Sequence, residues 1–167
     1  MQFIKKIPET NVHMLKHVYA TLISQCPEYL NLSFNTFLEC RDSVYAIVDN
    51  SRNIVLQFKG IIGIRRTYSS NLNNYKDLRY YCVPFGTIYC VDFLHIMDDV
   101  DEELGFQLVR EAVADKNDGF NRLTHKCSRE TPIYRILHRN GFKMDQYNEA
   151  RDEFVYVRDP ILQEKEI

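Results

Sequence analysis

The sequence predicts one α+β domain spanning residues 1–167, with strands and helices interleaved along the chain. Three observations carry that expectation. An apolar strand, Ile88 to Met97, runs into a helical pattern that begins near Asp99. A second strand, Arg122 to Cys127, leads into a short helix that ends at Asn140-Gly141-Phe142. Upstream, Val44 to Val48 and Ile54 to Arg66 form a hairpin across the turn-prone Asp49-Asn50-Ser51-Arg52-Asn53. With 167 residues, 45% of them hydrophobic and 26% charged, the chain can bury a substantial core and lacks the composition of a disordered one.

The remaining elements follow in order. Gln2 to Ile7 reads as a first strand that Pro8 closes. Thr10 or Asn11 caps a helix whose apolar positions Val12, Leu15, Tyr19, Leu22, Ile23 and Cys26 recur at helical spacing, and Pro27 stops it. Ser33 caps a second, short helix carrying Phe34, Phe37 and Leu38. Within the hairpin, Gly60 and Gly63 mark a bulge or a close backbone approach. The stretch 67–85 is polar, rich in Asn and Tyr, and reads as a long inserted loop, which in compact domains tends to be functional. Glu153 to Val157 is a last strand, and an acidic tail, 160–167, closes the chain.

Bulk charge excludes little but directs attention. A net charge of −2 offers no global attraction for nucleic acid or an anionic membrane, so any such contact needs a local patch. No apolar run reaches the length of a membrane span, and the first residues lack a signal-peptide core. Five scattered cysteines in apolar context read as reduced thiols of a cytoplasmic protein. No Cys/His spacing suits a structural zinc, so no metal is expected. His13 and His17 lie one helical turn apart without a third ligand nearby and read as a solvated face. The scarcity of Ala, the best helix former, beside abundant Asn and Tyr has no structural reason; an AT-rich genome, such as many bacteriophages carry, accounts for it.

The succession of elements, closed by Tyr134-Arg135-Ile136-Leu137-His138-Arg139-Asn140-Gly141-Phe142, resembles the GCN5-related N-acetyltransferase (GNAT) superfamily, most specifically from Ile88 onward. The resemblance implies a mixed, mostly antiparallel twisted sheet flanked by about four helices. In that family a loop of the form Arg/Gln-x-x-Gly-x-Gly/Ala opens the long helix, and its backbone N–H groups approach the pyrophosphate of CoA. Laid on this chain, the last glycine falls on Gly105, while the first falls on Glu103 and the Arg/Gln position on Val100. Asp98, Asp99, Asp101, Glu102 and Glu103 crowd the same helix start with no Lys or Arg among them. A carboxylate about 5 Å from a phosphate charge repels it by roughly 3 kcal/mol at an effective dielectric near 20. The same acids stabilise a helix dipole, and Asp99 with Glu102 resembles a capping box.

The family's second signature is a tyrosine four residues before the glycine of the closing Gly-Phe, whose hydroxyl protonates the leaving thiolate. Here that position is Leu137; Tyr134 lies on an adjacent face of the same helix, and Glu130 stands nearest the place of the asparagine that often opens it. His95, His125 and Cys127 could form a Cys–His nucleophile or a general base, or they are core side chains of two central strands. Arg65, Arg66, Tyr75, Lys76, Arg79, Tyr80 and Tyr81 interleave cations with aromatics in and before the loop, a mixture that suits a protein interface or a nucleic-acid strand.

These readings point to a non-catalytic GNAT-fold binding protein without a cofactor, similar to GNAT-like proteins of bacteriophages. Its partner would be a macromolecule, a protein of the host machinery or a nucleic acid held by 65–81, or it would be a virion component. The alternative is an acetyl-CoA-dependent N-acetyltransferase with a divergent CoA site. In that reading Gly105 supplies an amide to the pyrophosphate, Tyr134 acts as acid, and His125 or His95 acts as base.

Overall fold

The computed structural model describes residues 1–51, 55–68, 87–126 and 130–161. Seven strands and four helices appear among them: β1 (Gln2–Lys6), α1 (Val12–Gln25), α2 (Phe34–Phe37), β2 (Val44–Asp49), β3 (Gln57–Tyr68), β4 (Thr87–Ile96), α3 (Glu102–Val113), β5 (Phe120–His125), α4 (Pro132–Arg139), β6 (Phe142–Asn148) and β7 (Glu153–Arg158). The hydrogen-bonded order is β1-β2-β3-β4-β5-β7-β6. The pairs β1·β2, β2·β3, β5·β7 and β6·β7 are antiparallel. The expected α+β class and mostly antiparallel sheet are therefore present. Neighbouring strands β4 and β5 are joined through α3, the kind of crossover that parallel neighbours need.

Contacts divide the chain into two compact units, Met1–Arg65 with Val91–Ala112, and Arg66–Cys90 with Val113–Ile167. The first holds β1, β2, α1, α2 and most of β3, β4 and α3. Asn11 caps α1, its side chain accepting from the Met14 N–H at 3.1 Å. The helix buries Leu15, Val18 and Leu22, so the buried stripe runs through Val18 and leaves the expected Val12 about half exposed. Ser33 caps α2, accepting from the Thr36 N–H. Phe37 then enters a core with Ile7, Val44, Phe58, Ile61 and Phe93, where its ring stacks on Phe93 at 4.9 Å.

Both glycine expectations on β3 hold. The β2·β3 register shifts between Ile47 and Val48, which pair with Gly60 and Phe58, so Lys59 is the extra residue of a bulge. At Gly63 an added Cβ would lie 2.0 Å from the Phe93 ring, a close approach only glycine permits.

The second unit is built on β5, β7 and β6, with α4 alongside. Ile88, Cys90, Phe120, Val155 and Val157 form one buried cluster. Gly141 turns the chain from α4 into β6 at φ +88°, a left-handed conformation that favours glycine. Arg158, nearly buried, donates from Nε to the Asn140 carbonyl at 3.0 Å and from Nη2 to Asn117 Oδ1.

Several boundaries differ from expectation. Strand β3 starts at Gln57 instead of Ile54 and runs on through Thr67, which is buried, into Tyr68, so the stretch expected as loop from 67 begins no earlier than 69. Residues 69–86, and with them the rest of that loop, lie outside the described residues, as do 162–167 of the tail. Helix α3 starts at Glu102, not near Asp99. Strand β6 was not expected at all; its sequence, Phe-Lys-Met-Asp-Gln-Tyr-Asn, is polar because it is an edge strand and is mostly exposed. Cys26, Cys40 and Cys90 are buried and take part in no disulfide.

Candidate functional site

In the first unit, β4 ends in a turn closed by the Val100 N–H donating to the Met97 carbonyl at 3.1 Å. Asp101 then caps α3. Its carbonyl accepts from the Gly105 N–H at 3.0 Å, and its side-chain Oδ1 accepts from the Glu103 N–H at 2.9 Å. The cap is thus Asp101 instead of the expected Asp99. Asp99 instead ion-pairs with Lys59 at 3.1 Å, beside the Met97 N–H that bonds the Lys59 carbonyl. Gly105 is buried, and its amide serves the helix's own ladder.

His95 lines an open cavity of about 400 Å³ with Gln25, Ile96, Met97, Asp98 and Asp99. A second, of about 280 Å³, lies among His17, Thr21, Gln25, Val55 to Lys59 and Met97. His17 meets the Phe58 ring edge-on at 4.9 Å. A third, of about 420 Å³, is lined by Glu9, Asn35, Leu38, Glu39, Arg41 and Asp42. Among the described residues no group of three or more His, Cys, Asp or Glu could hold a metal ion.

A polar cluster of this unit shares Glu39 with that third cavity, and the sequence pattern alone did not assemble it. Arg65 donates from Nε to Asp92 Oδ2 at 2.8 Å and lies 3.7 Å from Glu39. The Cys40 thiol donates to the same Asp92 oxygen at 3.5 Å. Burial, with Asp92 beside it, drives the Cys40 thiol well above its ordinary range. Tyr29 Oη donates to the Leu94 carbonyl at 3.3 Å and accepts from the Leu94 N–H at 3.0 Å, and burial raises its hydroxyl strongly. The signal was present: Asp92 is the one charged residue in the apolar run from Ile88 to Leu94. Arg65, expected on a partner surface, is 34% exposed and holds this carboxylate.

In the second unit, Leu137 is 1% exposed, on the buried face of α4 with Ile136. Tyr134 is half-buried, its ring stacked on His138 at 5.9 Å and tilted against Tyr156 at 6.3 Å. Thr131 caps the helix, its Oγ1 accepting from the Tyr134 N–H at 3.3 Å. His125 ends β5 opposite Phe154 of β7, which pairs in turn with Tyr147 of β6. Arg66 is exposed, with Nη2 at 3.5 Å from Thr87 Oγ1. Cys127, Tyr75, Lys76, Arg79, Tyr80 and Tyr81 lie outside the described residues.

No family model matches the chain. No curated protein matches it in sequence. Solved structures do match. NAA60 of Arabidopsis thaliana, in complex with acetyl-CoA, aligns with a TM-score of 0.59 at 14% identity over 95% of this chain and 99% of its own. The NatC complex bound to Gag peptide and CoA aligns at 0.63 and 13% identity, over 96% and 99%. A GNAT-family acetyltransferase of Streptococcus agalactiae aligns at 0.58 and 7% identity, over 96% of each chain. The fold is the GNAT fold. At these identities the likeness shows architecture alone.

In the superfamily that the sequence resembles, the loop at the place of the α3 start meets the pyrophosphate of CoA. The Glu103 N–H is held by the Asp101 carboxylate, the Gly105 N–H is spent inside the helix, and Asp98, Asp99 and Glu103 add exposed carboxylates. These residues surround the α3 start with negative charge.

Proposed function

We propose that this chain is a GNAT-fold binding protein that does not transfer acetyl groups. The observation that carries the reading is Leu137. It occupies the position at which the family resemblance places the thiol-protonating tyrosine, and at 1% exposure it is a core side chain with no proton to give. The carboxylate-closed start of α3 supports the same conclusion. Its partner is a macromolecule, a protein in the first instance, met by the cation- and aromatic-rich sequence from Arg65 to Tyr81. The Asn-rich, Ala-poor composition favours a phage-encoded factor acting on host machinery in the host cytoplasm, or a virion component.

The test is calorimetric titration of the purified chain with acetyl-CoA, together with a thiol-release assay over a panel of peptide and small-amine acceptors. The expected result is no binding heat and no thiol release. A micromolar dissociation constant with turnover would sink the proposal. A ligand at a hundred times its dissociation constant should add about 2.7 kcal/mol of stability, so a flat melting temperature is an informative second readout.

A second reading has an observation of its own. Structural neighbours that align over nearly their full length include proteins solved with acetyl-CoA or CoA. Under it the chain is an acetyl-CoA-dependent N-acetyltransferase in which Tyr134 replaces the missing acid and His95 or His125 serves as base. Tyr134→Phe would then abolish the thiol release that the first reading says is absent.

A further inference from the structure

We infer that Asp101 is a built-in anionic ligand of α3, filling with the chain's own carboxylate the amide end that a phosphate would need. The inference rests on the reading above that this helix takes no CoA, and adds what takes its place. Three facts converge on it. The Asp101 side chain accepts from the second amide of the helix at 2.9 Å, and its carbonyl accepts the first full helical bond, from Gly105, at 3.0 Å. The neighbouring acid, Asp99, is turned away by its ion pair with Lys59. Gly105, the one retained glycine of the family loop, is buried and committed to the helix ladder. A carboxylate at this place gains from both the amide and the macrodipole, as a bound anion would. A phosphate approaching the same amide would have to displace a covalently tethered competitor whose effective concentration is high.

The experiment combines residue-resolved hydrogen exchange, thermal melting and titration with inorganic pyrophosphate on the full chain. In the wild type the Glu103 amide should exchange slowly and pyrophosphate should give no heat. Asp101→Ala should speed Glu103 exchange about five- to tenfold and lower the melting temperature by about 2–4 °C. Asp101→Asn keeps the accepting oxygen and should stay close to wild type in both. Asp101→Gly removes the side chain at little cost to a cap position and still tests the amide if the alanine variant folds poorly. Unchanged Glu103 exchange in the Ala and Gly variants overturns the inference. So does pyrophosphate binding to the wild type with added protection of that amide. Thiol release from acetyl-CoA, with Asp101→Ala still speeding the exchange, would overturn the non-catalytic reading and leave the cap standing.

Discussion

Gly63 shows how a single position can be required by space alone. Its missing Cβ leaves room for the tip of the Phe93 ring, whose face stacks on Phe37 at 4.9 Å in the core. Gly63→Ala should destabilise the fold by about 2–3 kcal/mol. Gly60→Ala should cost less, because the nearest atom, Ile47 Cδ1 at 2.8 Å, is the end of a side chain that can give. Denaturant unfolding of both variants checks the order; equal costs would mean the Phe93 ring moves freely. Asp49 offers a pH test. Hydrogen bonds from Ser51, first of all, hold its carboxyl down at about 2, below the ordinary 3.8. A depressed folded pKa contributes stability that is full above about 3.8 and fades as pH falls toward about 2. The stability gap between wild type and Asp49→Asn should therefore be flat at neutral pH and shrink across that acid window.

At the scale of elements, the Arg65–Asp92 pair joins neighbouring strands β3 and β4, and the Cys40 thiol on the same carboxylate ties in the segment after α2. Removing one partner of a partly buried pair leaves a charge poorly compensated. Asp92→Ala should cost about 2–4 kcal/mol, and Arg65→Met with Asp92→Leu less than the two single changes added together. A double-mutant cycle with no coupling would make the pair ornamental. On α4, Thr131→Ala should cost about 1 kcal/mol through the lost bond to the Tyr134 N–H, and Thr131→Ser should restore most of it. Elements were legible where pattern and chemistry agreed. The Asn11 and Ser33 caps, the apolar run of β4 and the glycine turn at Gly141 are local features. Strand β6 was not legible, because an exposed edge strand has no apolar alternation to display.

For the molecule as a whole, the decisive measurement concerns the family loop. Val100→Arg with Glu103→Gly recreates its missing residues beside Gly105. The double variant should unfold within about 1 kcal/mol of wild type, since Glu103 is exposed in the first turn of α3 and Val100 stands in the turn just before it. It should still bind CoA weakly or not at all while Asp101 remains. Tight binding by this variant would show that residue identity in the loop, and not the Asp101 cap, closes the site. Replacing Arg79, Tyr80 and Tyr81 together with Ala should abolish partner binding while lowering the melting temperature by no more than a few degrees. A folded, fully active triple variant would move the partner surface elsewhere.

The sequence by itself determined the α+β class, the order of most elements and the departures from the family pattern at Val100, Glu103 and Leu137. Those are matters of residue type, period and spacing, which need no third dimension. Only the tertiary structure decided which acid caps α3, since Asp99 and Asp101 are equally plausible in one dimension and Lys59, forty residues away, claims the first. It also decided that Arg65 meets Asp92, and that Cys40 joins them. The reason is the same in each case. A charge in a sequence has many possible counterparts, and its neighbour is chosen by strand pairing between segments far apart along the chain.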